Sequence, residues 1–402
     1  MRFLFVHQNF PAQYLHIVRH LQQVGGHEMV FITEDNPNQL PGVRKITYAG
    51  PGPVRADTFG DVQEFEQAAI RAQLVAQTAA TLKGLGYTPD IIIGHHGWGE
   101  LLNMQDIYPG VPVLGYFEFY YRTESGDVNF DPEFPTALAL LARVRAKNAV
   151  NLIALNNPGH GQTPTRFQHE TYPNWAQPRI TRLAEGVHLD ICYPDPDART
   201  RPFEIGGMVV APGDRLVTYV ARDLEPYRGF HTMMRAVPRL LRRPDVKIVM
   251  VGGDGVSYGA RLVDRTWREH MTLETGPLDP GRVCFPGRVD YSLFVRLLQR
   301  SDAHVYLTYP FVASWSLREA LACGCAIVAS DTAPVHEFVS DGVTGLLTPC
   351  LDPAALADRV LRLLDSPALS DGLRHSARAF AERQLQMADH LAGFEALITT
   401  LV

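Results

Sequence analysis

The strongest constraint on this chain is a series of short, continuously apolar runs that alternate with helical segments. Runs such as MRFLFVHQ, PDIIIGHH and RLVTYVA lack the alternation of apolar and polar residues that a half-exposed strand shows. Strands of that kind are buried on both faces, which is typical of a parallel sheet covered by helices. Helical patterns such as HIVRHLQQVG and FHTMMRAVPRLLRR supply that cover. We therefore predict an α/β fold of repeated strand–helix units.

This rhythm starts twice, and 402 residues are enough for two domains. We predict two doubly wound, Rossmann-like domains at 1–190 and 191–384, with the option that a C-terminal helix, about 385–402, packs back on the first. VPVLGYFEF and NLIALN are predicted as further strands, and CYPDPDARTRPFEIGGMVVAPGD as an irregular connector. The two domains should face each other across a cleft at the carboxyl ends of their strands, where ligands bind.

Charge and hydropathy exclude several classes of protein. The net charge is −6 and the pI about 6.2, so nucleic acid is not expected as a partner. No apolar stretch approaches the ~18 residues of a membrane span, and the N-terminus lacks the features of a signal peptide. We expect a cytoplasmic protein with at most peripheral contact with the inner membrane face. The five cysteines, including the C-x-C pair at Cys323 and Cys325, are expected to be free thiols and not a metal site.

In the second half, two arginines follow a predicted strand. Arg222 and Arg228 stand six residues apart, and two cations next to a helix start suit a diphosphate, although both could be solvated surface charges. The stretch GGDGVSYG, beginning at Gly252 and Gly253, could approach a phosphate or a sugar, or could be a simple tight turn.

Glu319 is the one acid in an otherwise small and apolar helix. Its carboxylate could accept hydrogen bonds from vicinal hydroxyls such as those of a ribose, or it could be a partly exposed helix glutamate. As a ribose ligand it should face water and stay ionised, because burial without a partner disfavours the charge.

In the first half, candidate residues again follow predicted strands. His7 and Asn9 follow the first strand, and His95 and His96 follow PDIIIG, where one imidazole could bond a substrate hydroxyl while the other is structural. The segment 116–134, which includes Glu118 and Tyr120, is rich in aromatic and acidic residues. It is either a carbohydrate platform or a loop that packs on its own domain.

At these residues the second half resembles the retaining glycosyltransferases of family 4, which have the two-domain GT-B fold. The family's arginine, with lysine six positions on, is matched by Arg222 and Arg228. Its F-x-G-R-V motif near the nucleotide base is similar to CFPGRV, which contains Arg288 and Val289. Its L-E-A-x-A-C-G-x-P-V-V-A-S motif is similar to LREALACGCAIVAS, which gives Glu319 the part of the ribose ligand.

The first half is similar to a bacterial subgroup with an HQNFPAQ-type N-terminus, and PDIIIGHHGWGE occupies the place of the family's D-x-x-H-x-H segment. The resemblance implies transfer of a sugar from a nucleotide diphosphate sugar to a saccharide, lipid-linked or other hydroxyl acceptor, with retention, in the synthesis of cell-surface polysaccharides or glycoconjugates. No cofactor is expected. Because no D-x-D-like motif follows a strand at the cleft and two arginines can replace a divalent ion, we also predict that the enzyme needs no metal. The implied catalytic residues are His95, Arg222 and Arg228. The implied donor-binding residues are Glu319, Ser314, Trp315, Ser316, Gly252, Gly253, Arg288 and Val289. The implied acceptor-side residues are His7, Asn9, His96, Glu118 and Tyr120.

One departure from the family concerns the donor sugar. The family has two glutamates eight positions apart. The first, which contacts the donor sugar, is replaced in this chain by Phe311, the second is matched by Glu319, and Ser314 stands where a glycine is usual. Two alternatives therefore stay open, a GT-B nucleotide-sugar epimerase and a catalytically degenerate nucleotide-sugar-binding module. A phosphorylase is disfavoured, because no lysine stands in the context of a pyridoxal phosphate site.

Overall fold

The computed structural model describes residues 1–124 and 126–402. The chain forms two compact units, the first made of Met1–Glu185 with Ala388–Val402, and the second of Gly186–Met387. The units thus divide after Glu185 and after Met387, where the sequence suggested 190 and 384.

The first unit is built on a seven-stranded, fully parallel sheet with the order β3-β2-β1-β4-β5-β6-β7. The reversal of order between β1 and β4 is the mark of a doubly wound, Rossmann-like sheet. Its strands are β1 Arg2–Val6, β2 Glu28–Glu34, β3 Arg44–Tyr48, β4 Ile91–His95, β5 Val113–Tyr116, β6 His160–Thr163 and β7 Ile180–Arg182.

Helices cover both faces of this sheet and bury its apolar strands. Phe5 on β1 and Phe31 on β2 stack at 5.8 Å between ring centroids, and Phe394 from the C-terminal helix joins the same cluster. The C-terminal helix therefore packs against the first sheet. The helices of this unit are α1 Leu15–Val24, α2 Gln63–Gly84, α3 Met104–Ile107, α4 Leu141–Ala146, α5 Ala149–Asn156, α6 Arg166–Thr171 and, from the chain end, α13 Met387–Leu401.

The second unit repeats the same plan with a six-stranded parallel sheet in the order β12-β11-β10-β13-β14-β15. Here the order reverses between β10 and β13. The predicted fold of two doubly wound domains is therefore confirmed. The strands are β8 Phe203–Ile205 and β9 Met208–Val210, which form a separate hairpin, and β10 Arg215–Asp223, β11 Val246–Gly253, β12 Val283–Gly287, β13 Ala303–Tyr306, β14 Ile327–Ser330 and β15 Leu346–Thr348.

Local sequence signals set the starts of several helices in this unit. Thr266 and Glu269 form a capping box, and the side chain of Asp290 accepts the backbone N–H of Leu293. The helices are α7 Phe230–Leu240, α8 Trp267–Thr275, α9 Tyr291–Arg300, α10 Trp315–Ala322, α11 Pro353–Asp365 and α12 Pro367–Gln384.

The prediction of a strand at NLIALN was wrong, because these residues lie in α5. A short, continuously apolar run does not distinguish a buried strand from a buried helix by its period. The strand that does continue the sheet is β6, whose HGQT sequence carries no apolar run, so the pattern gave no sign of it.

The prediction of an irregular connector was wrong in part. Strands β8 and β9 form an antiparallel hairpin inside that segment, and its apolar residues pack against the second sheet. Gly206 and Gly207, both at positive φ, make the turn. Three residues per strand are too few for the period-2 pattern to be recognised.

The predicted free thiols are confirmed, since all five cysteines are buried and unpaired by disulfides. Within the described residues, no helix is both long and apolar enough to cross a membrane.

Candidate functional site

Each unit has one point where the order of its parallel strands reverses, and polar side chains gather there. In open α/β sheets, ligands bind outside the carboxyl ends of the strands at such a point. In the first unit the flanking residues are His7, directly after β1, and His95, the last residue of β4. In the second they are Arg222, near the end of β10, and the segment that joins β13 to α10.

The histidines of the first switch point share one arrangement. Nδ1 of His7 accepts the backbone N–H of Asn9, and Nδ1 of His95 accepts that of Gly97, each at 2.9 Å. These bonds assign the ring proton to Nε2 in both residues. The rings are 5.7 Å apart and nearly perpendicular. Burial, followed by the proximity of His95, lowers the pKa of His7 to about 3, so its ring is neutral near pH 7.

His95 and His96 occupy different environments. Nε2 of His95 lies 3.6 Å from a carboxylate oxygen of Glu118, whose side chain is partly exposed. The ring of His96 packs on Phe117 and over Gly115, where a Cβ atom would approach it to 2.1 Å. Burial lowers the pKa of His96 to about 3. Both rings are buried, and they differ in their neighbours: His95 lies beside the partly exposed carboxylate of Glu118, whereas His96 packs on Phe117.

Sequence reasoning missed Glu100, a fully buried acid beside this site. Its Oε1 accepts the backbone N–H of Gln8 at 2.7 Å and the hydroxyl of Tyr48 at 3.4 Å. Among the residues that the structure describes, its Oε2 has no hydrogen-bond partner, nor has the buried hydroxyl of Tyr14. Burial raises the pKa of Glu100, although Arg71 opposes the shift. Glu100 thus fixes the segment after β1. The only signal in the sequence was an acid five residues after His95.

The described residues of the aromatic segment, 116–124 and 126–134, mostly pack on their own unit. Phe117 and Phe119 are buried, and Tyr120 lies against the ring of Tyr172, with its backbone N–H bonded to Thr171. These contacts fit the packing alternative better than a platform for most of the segment. Asn9 is exposed at the edge of the sheet, and Glu118 keeps its carboxylate near His95.

The two arginines predicted to hold a diphosphate differ in exposure. Arg222 lies within β10 and is exposed. Arg228 is buried; its Nη1 donates to Thr308 Oγ1 at 2.8 Å and to the carbonyl of Val312 at 2.9 Å, and its guanidinium lies 4.9 Å from the ring centre of Tyr258. Arg228 therefore also fixes the segment between β13 and α10.

Two acids between these arginines were missed as well. Glu225, fully buried, accepts the backbone N–H groups of Ser257, Tyr258 and Gly259 at 2.9 to 3.3 Å. Burial raises the pKa of Glu225, against the effect of these three bonds. The glycine-rich turn after β11 is thus held by a carboxylate of its own chain. The interleaving of acids and arginines in ARDLEPYR was the available signal.

Asp223 joins three loops at the same edge. It accepts bonds from the hydroxyl of Ser257 at 2.5 Å and from Nη2 of Arg288 at 2.9 Å. Burial alone would raise the pKa of Asp223, but these donors outweigh it and the pKa lies below its usual range. A Cβ atom on Gly253 would come within 2.6 Å of this carboxylate, which explains a glycine there.

The other donor-side residues at this edge are Gly252, Arg288 and Val289. Gly252 lies close to Leu224, the side chain of Arg288 is largely exposed beyond its bond to Asp223, and Val289 packs against the apolar core.

Helix α10 begins directly after the loop that follows β13. Ser314 is its N-cap residue; its backbone N–H donates to the hydroxyl of Tyr306, and its hydroxyl lies 2.6 Å from that of Ser316. The first N–H groups of a helix have no partner within the helix and attract anions. Trp315 is exposed at this end.

Glu319 was predicted to face water, and in the structure its side chain is partly buried. Burial raises its pKa, while a hydrogen bond from the hydroxyl of Tyr291 and the charge of Arg318 lower it. The hydroxyl of Tyr291 also lies 3.3 Å from Sγ of Cys192. The carboxylate is therefore oriented by protein groups from α9.

Phe311, in place of the family's first glutamate, is buried in an aromatic cluster. Its ring centre lies 5.0 Å from that of Tyr258 and 5.8 Å from that of Tyr227. The loop before α10 is thus anchored by ring packing where a carboxylate would introduce a charge.

Two family models match the chain in succession. Residues 25–192 match the model described as the glycosyl transferase family 4 group, and residues 207–383 match the model described as glycosyl transferases group 1. The first match lies almost entirely in the first unit and the second lies wholly in the second unit.

Individual relatives agree with these models. A glycogen synthase from Mycobacterium tuberculosis is 31% identical over 182 residues, which are 45% of this chain and only 41% of that protein. A D-inositol 3-phosphate glycosyltransferase 2 from Catenulispora acidiphila is 28% identical over 357 residues, 84% of this chain and 77% of that protein. A solved Anabaena protein in complex with UDP-glucose aligns over the whole of both chains with a TM-score of 0.71 at 14% identity, a likeness of fold.

Proposed function

We propose that this chain, which belongs to the family 4 glycosyltransferases, transfers a sugar from a nucleotide diphosphate sugar to a hydroxyl acceptor with retention of the anomeric configuration. The acceptor is a saccharide or a lipid-linked glycan, in the synthesis of cell-surface polysaccharide or glycoconjugate. The predicted cytoplasmic location stays a prediction.

One observation carries the proposal, namely the set of groups at the carboxyl edge of the second sheet. Arg222 is exposed next to the last residue of β10, Arg288 directly follows β12, and α10 begins after the loop that follows β13. Because these strands belong to one parallel sheet, their carboxyl ends lie along one edge. Cations and helix N-termini at such an edge suit a diphosphate.

Sugar transfer breaks the bond between the anomeric carbon and the diphosphate, so negative charge develops on the leaving phosphate. Arg222 and the start of α10 would stabilise that charge, and Arg228 would hold the loop in place. In the first unit, Nε2–H of His95 can donate a hydrogen bond to a sugar hydroxyl, since its Nδ1 is occupied by the N–H of Gly97. Glu319 would accept the ribose hydroxyls.

We further propose that the reaction needs no divalent cation, because arginines and helix N–H groups supply the positive charge that a metal would otherwise provide. Turnover should therefore be the same with and without a strong chelator. A loss of turnover in the chelator that Mg²⁺ or Mn²⁺ restores would contradict this part of the proposal.

The deciding experiment measures binding and turnover together. A thermal-shift screen of nucleotide sugars finds the donor, since a ligand at 100 times its dissociation constant stabilises the fold by about 2.7 kcal/mol. The donor is then incubated with saccharide acceptors, and product linkage is read by NMR. Inversion at the anomeric carbon, turnover to an epimer without an acceptor, or binding without turnover would each reject retaining transfer; the last two favour the epimerase and the degenerate module.

A further inference from the structure

An exposed indole follows β4 on a rigid turn. The side chain of Trp98 is 44% exposed, although it is a large aromatic residue. Its carbonyl accepts Nη1 of Arg71 at 3.2 Å, and the N–H of Gly99 donates to the carbonyl of His96 at 3.0 Å. Gly99 has φ +92°, and a Cβ atom there would approach the carbonyl oxygen of Ala68 to 2.4 Å, so α2 packs tightly under this turn. The backbone is fixed while the ring faces solvent.

The neighbours of this indole are aromatic rings and a carboxylate. The ring of Trp98 lies 6.3 Å from that of His95 at an angle of 30°, and His95 lies 5.2 Å from Tyr116, again at 30°. The carboxylate of Glu118 is 3.6 Å from Nε2 of His95, and its side chain is 38% exposed. The hydroxyl of Tyr116 donates to Glu185 at 3.1 Å. An apolar ring face thus borders acceptors and donors of hydrogen bonds.

The charge of this surface is neutral to negative. Arg71 already bonds Glu34 at 3.0 Å through Nε, besides the carbonyl of Trp98. His7 is neutral, because burial lowers its pKa to about 3. Glu118 and Glu185 contribute carboxylates. Such a surface suits hydroxyl groups, which donate to carboxylates, and it repels phosphate.

We propose that Trp98 forms the stacking face of a saccharide subsite that takes an uncharged sugar ring, with Glu118 accepting a ring hydroxyl and His95 donating to another. A sugar presents C–H groups on one face, which pack on an indole, and hydroxyls at its rim, which bond polar groups. This inference rests on the proposed function, because it assigns the acceptor's sugar ring to the first unit. It also excludes acceptors whose bound sugar ring carries a phosphate group.

The test compares two exposed tryptophans of the same unit. Trp98→Ala and Trp98→Phe are made in the full chain beside the control Trp175→Ala, whose side chain is 60% exposed. Saturation-transfer NMR, in the presence of UDP or GDP, gives the dissociation constants of methyl α-D-glucopyranoside and methyl α-D-mannopyranoside. Glucose 6-phosphate and mannose 6-phosphate serve as charged counterparts.

We expect Trp98→Ala to weaken binding of the plain glycosides about tenfold, and Trp98→Phe to restore most of it. Trp175→Ala should match the unmodified chain, and the phosphorylated sugars should bind more weakly than the plain ones. Equal glycoside affinity in Trp98→Ala and Trp175→Ala, or no glycoside binding to the unmodified chain, would overturn the subsite. Tighter binding of the phosphorylated sugars would overturn the uncharged class.

Measurements of nucleotide binding distinguish a failure of this inference from a failure of the proposed function. UDP and GDP affinity, measured by calorimetry, should be the same in all four proteins, because Trp98 is not part of the diphosphate edge. Failure of the proposed function shows as no nucleotide binding or no donor turnover in the unmodified chain. Failure of the subsite shows as glycoside binding that is indifferent to Trp98.

Discussion

The two switch points of this protein share a strand order and differ in chemistry. At the first, between β1 and β4, the side chains are imidazoles and a buried acid, Glu100, one oxygen of which finds no partner in the described part of the chain. At the second, between β10 and β13, they are arginines with buried acids that bind loop N–H groups. The parallel sheet therefore fixes where ligands bind, while the residues after each strand decide which ligands those are.

The difference also concerns how each loop is held. In the first unit, His7 and His95 each accept an N–H two residues on, which turns the backbone locally. In the second, Asp223 and Glu225 reach across to the glycine-rich turn. The first arrangement leaves imidazole N–H donors for hydroxyls, and the second leaves guanidinium groups for phosphate.

Substitution of the two arginines should have the largest effect. Arg222→Ala should lower the transfer rate by about 10²- to 10³-fold, as for loss of a group that stabilises a developing charge, with an unchanged melting temperature. Arg228→Ala should lower both the rate and the melting temperature, because Arg228 is buried and bonds Thr308 and Val312. Steady-state rates and calorimetric scans check this. A full rate in Arg222→Ala would remove Arg222 from the diphosphate edge.

Loss of the Glu225 carboxylate should have the next largest effect, on stability. Glu225→Ala removes the acceptor of three backbone N–H groups, and the free energy of unfolding should fall by about 3 kcal/mol. In a domain of this size that lowers the melting temperature by roughly 6–12 °C.

The controls for this prediction are a conservative and a remote variant. Glu225→Gln keeps an acceptor oxygen, so its free energy of unfolding should fall by less than half as much. Glu204 is an exposed glutamate of the same unit, and Glu204→Ala should leave the free energy of unfolding unchanged. Equal melting temperatures for Glu225→Ala and Glu204→Ala would show that the turn does not depend on the carboxylate.

Glu319→Gln distinguishes a ligand from a structural residue within the second unit. If Glu319 accepts ribose hydroxyls, the donor KM should rise about tenfold, because charge-assisted hydrogen bonds are stronger than neutral ones. The melting temperature should not fall, since burial already disfavours the charge that the substitution removes. Should the melting temperature drop while KM stays the same, Glu319 serves the fold.

Most of the strands could be predicted from the apolar runs that form them, whereas the short polar strands could not be predicted. Strands such as β4 and β10 bury both faces and are continuously apolar. Strand β6 has the sequence HGQT and is held by its neighbours, so no local pattern marks it. NLIALN failed for the converse reason, because an apolar run fits a buried helix equally well.

The candidate site shows the same limit. Residues directly after strands, such as His7 and His95, could be predicted from the strand pattern, since topology alone brings them together. Glu100 and Glu225 could not, because their importance lies in bonds to backbone N–H groups of distant segments. The enclosure of Glu319 likewise depends on α9, which is distant in sequence.

The smallest expected effect is a change with pH in the stability that Glu100, the buried acid of the first switch point, contributes. Burial raises the pKa of Glu100 in the folded chain above its value in the unfolded chain, about 4.3. The contribution of Glu100 to the free energy of unfolding is therefore most favourable below the pKa of the unfolded chain, and it is lost as the pH rises through the pKa of the folded chain. Glu100→Gln keeps an oxygen for the N–H of Gln8 and does not titrate. The melting temperature of Glu100→Gln relative to the unmodified chain should therefore rise from pH 4 upward and level off above the folded pKa, by a few degrees in all.

The exposed substitution Glu204→Gln serves as the control and should show no such rise. A difference that stays flat from pH 4 to pH 8 would mean that Glu100 does not carry a raised pKa, and the contrast between the two switch points would then rest on the histidines alone.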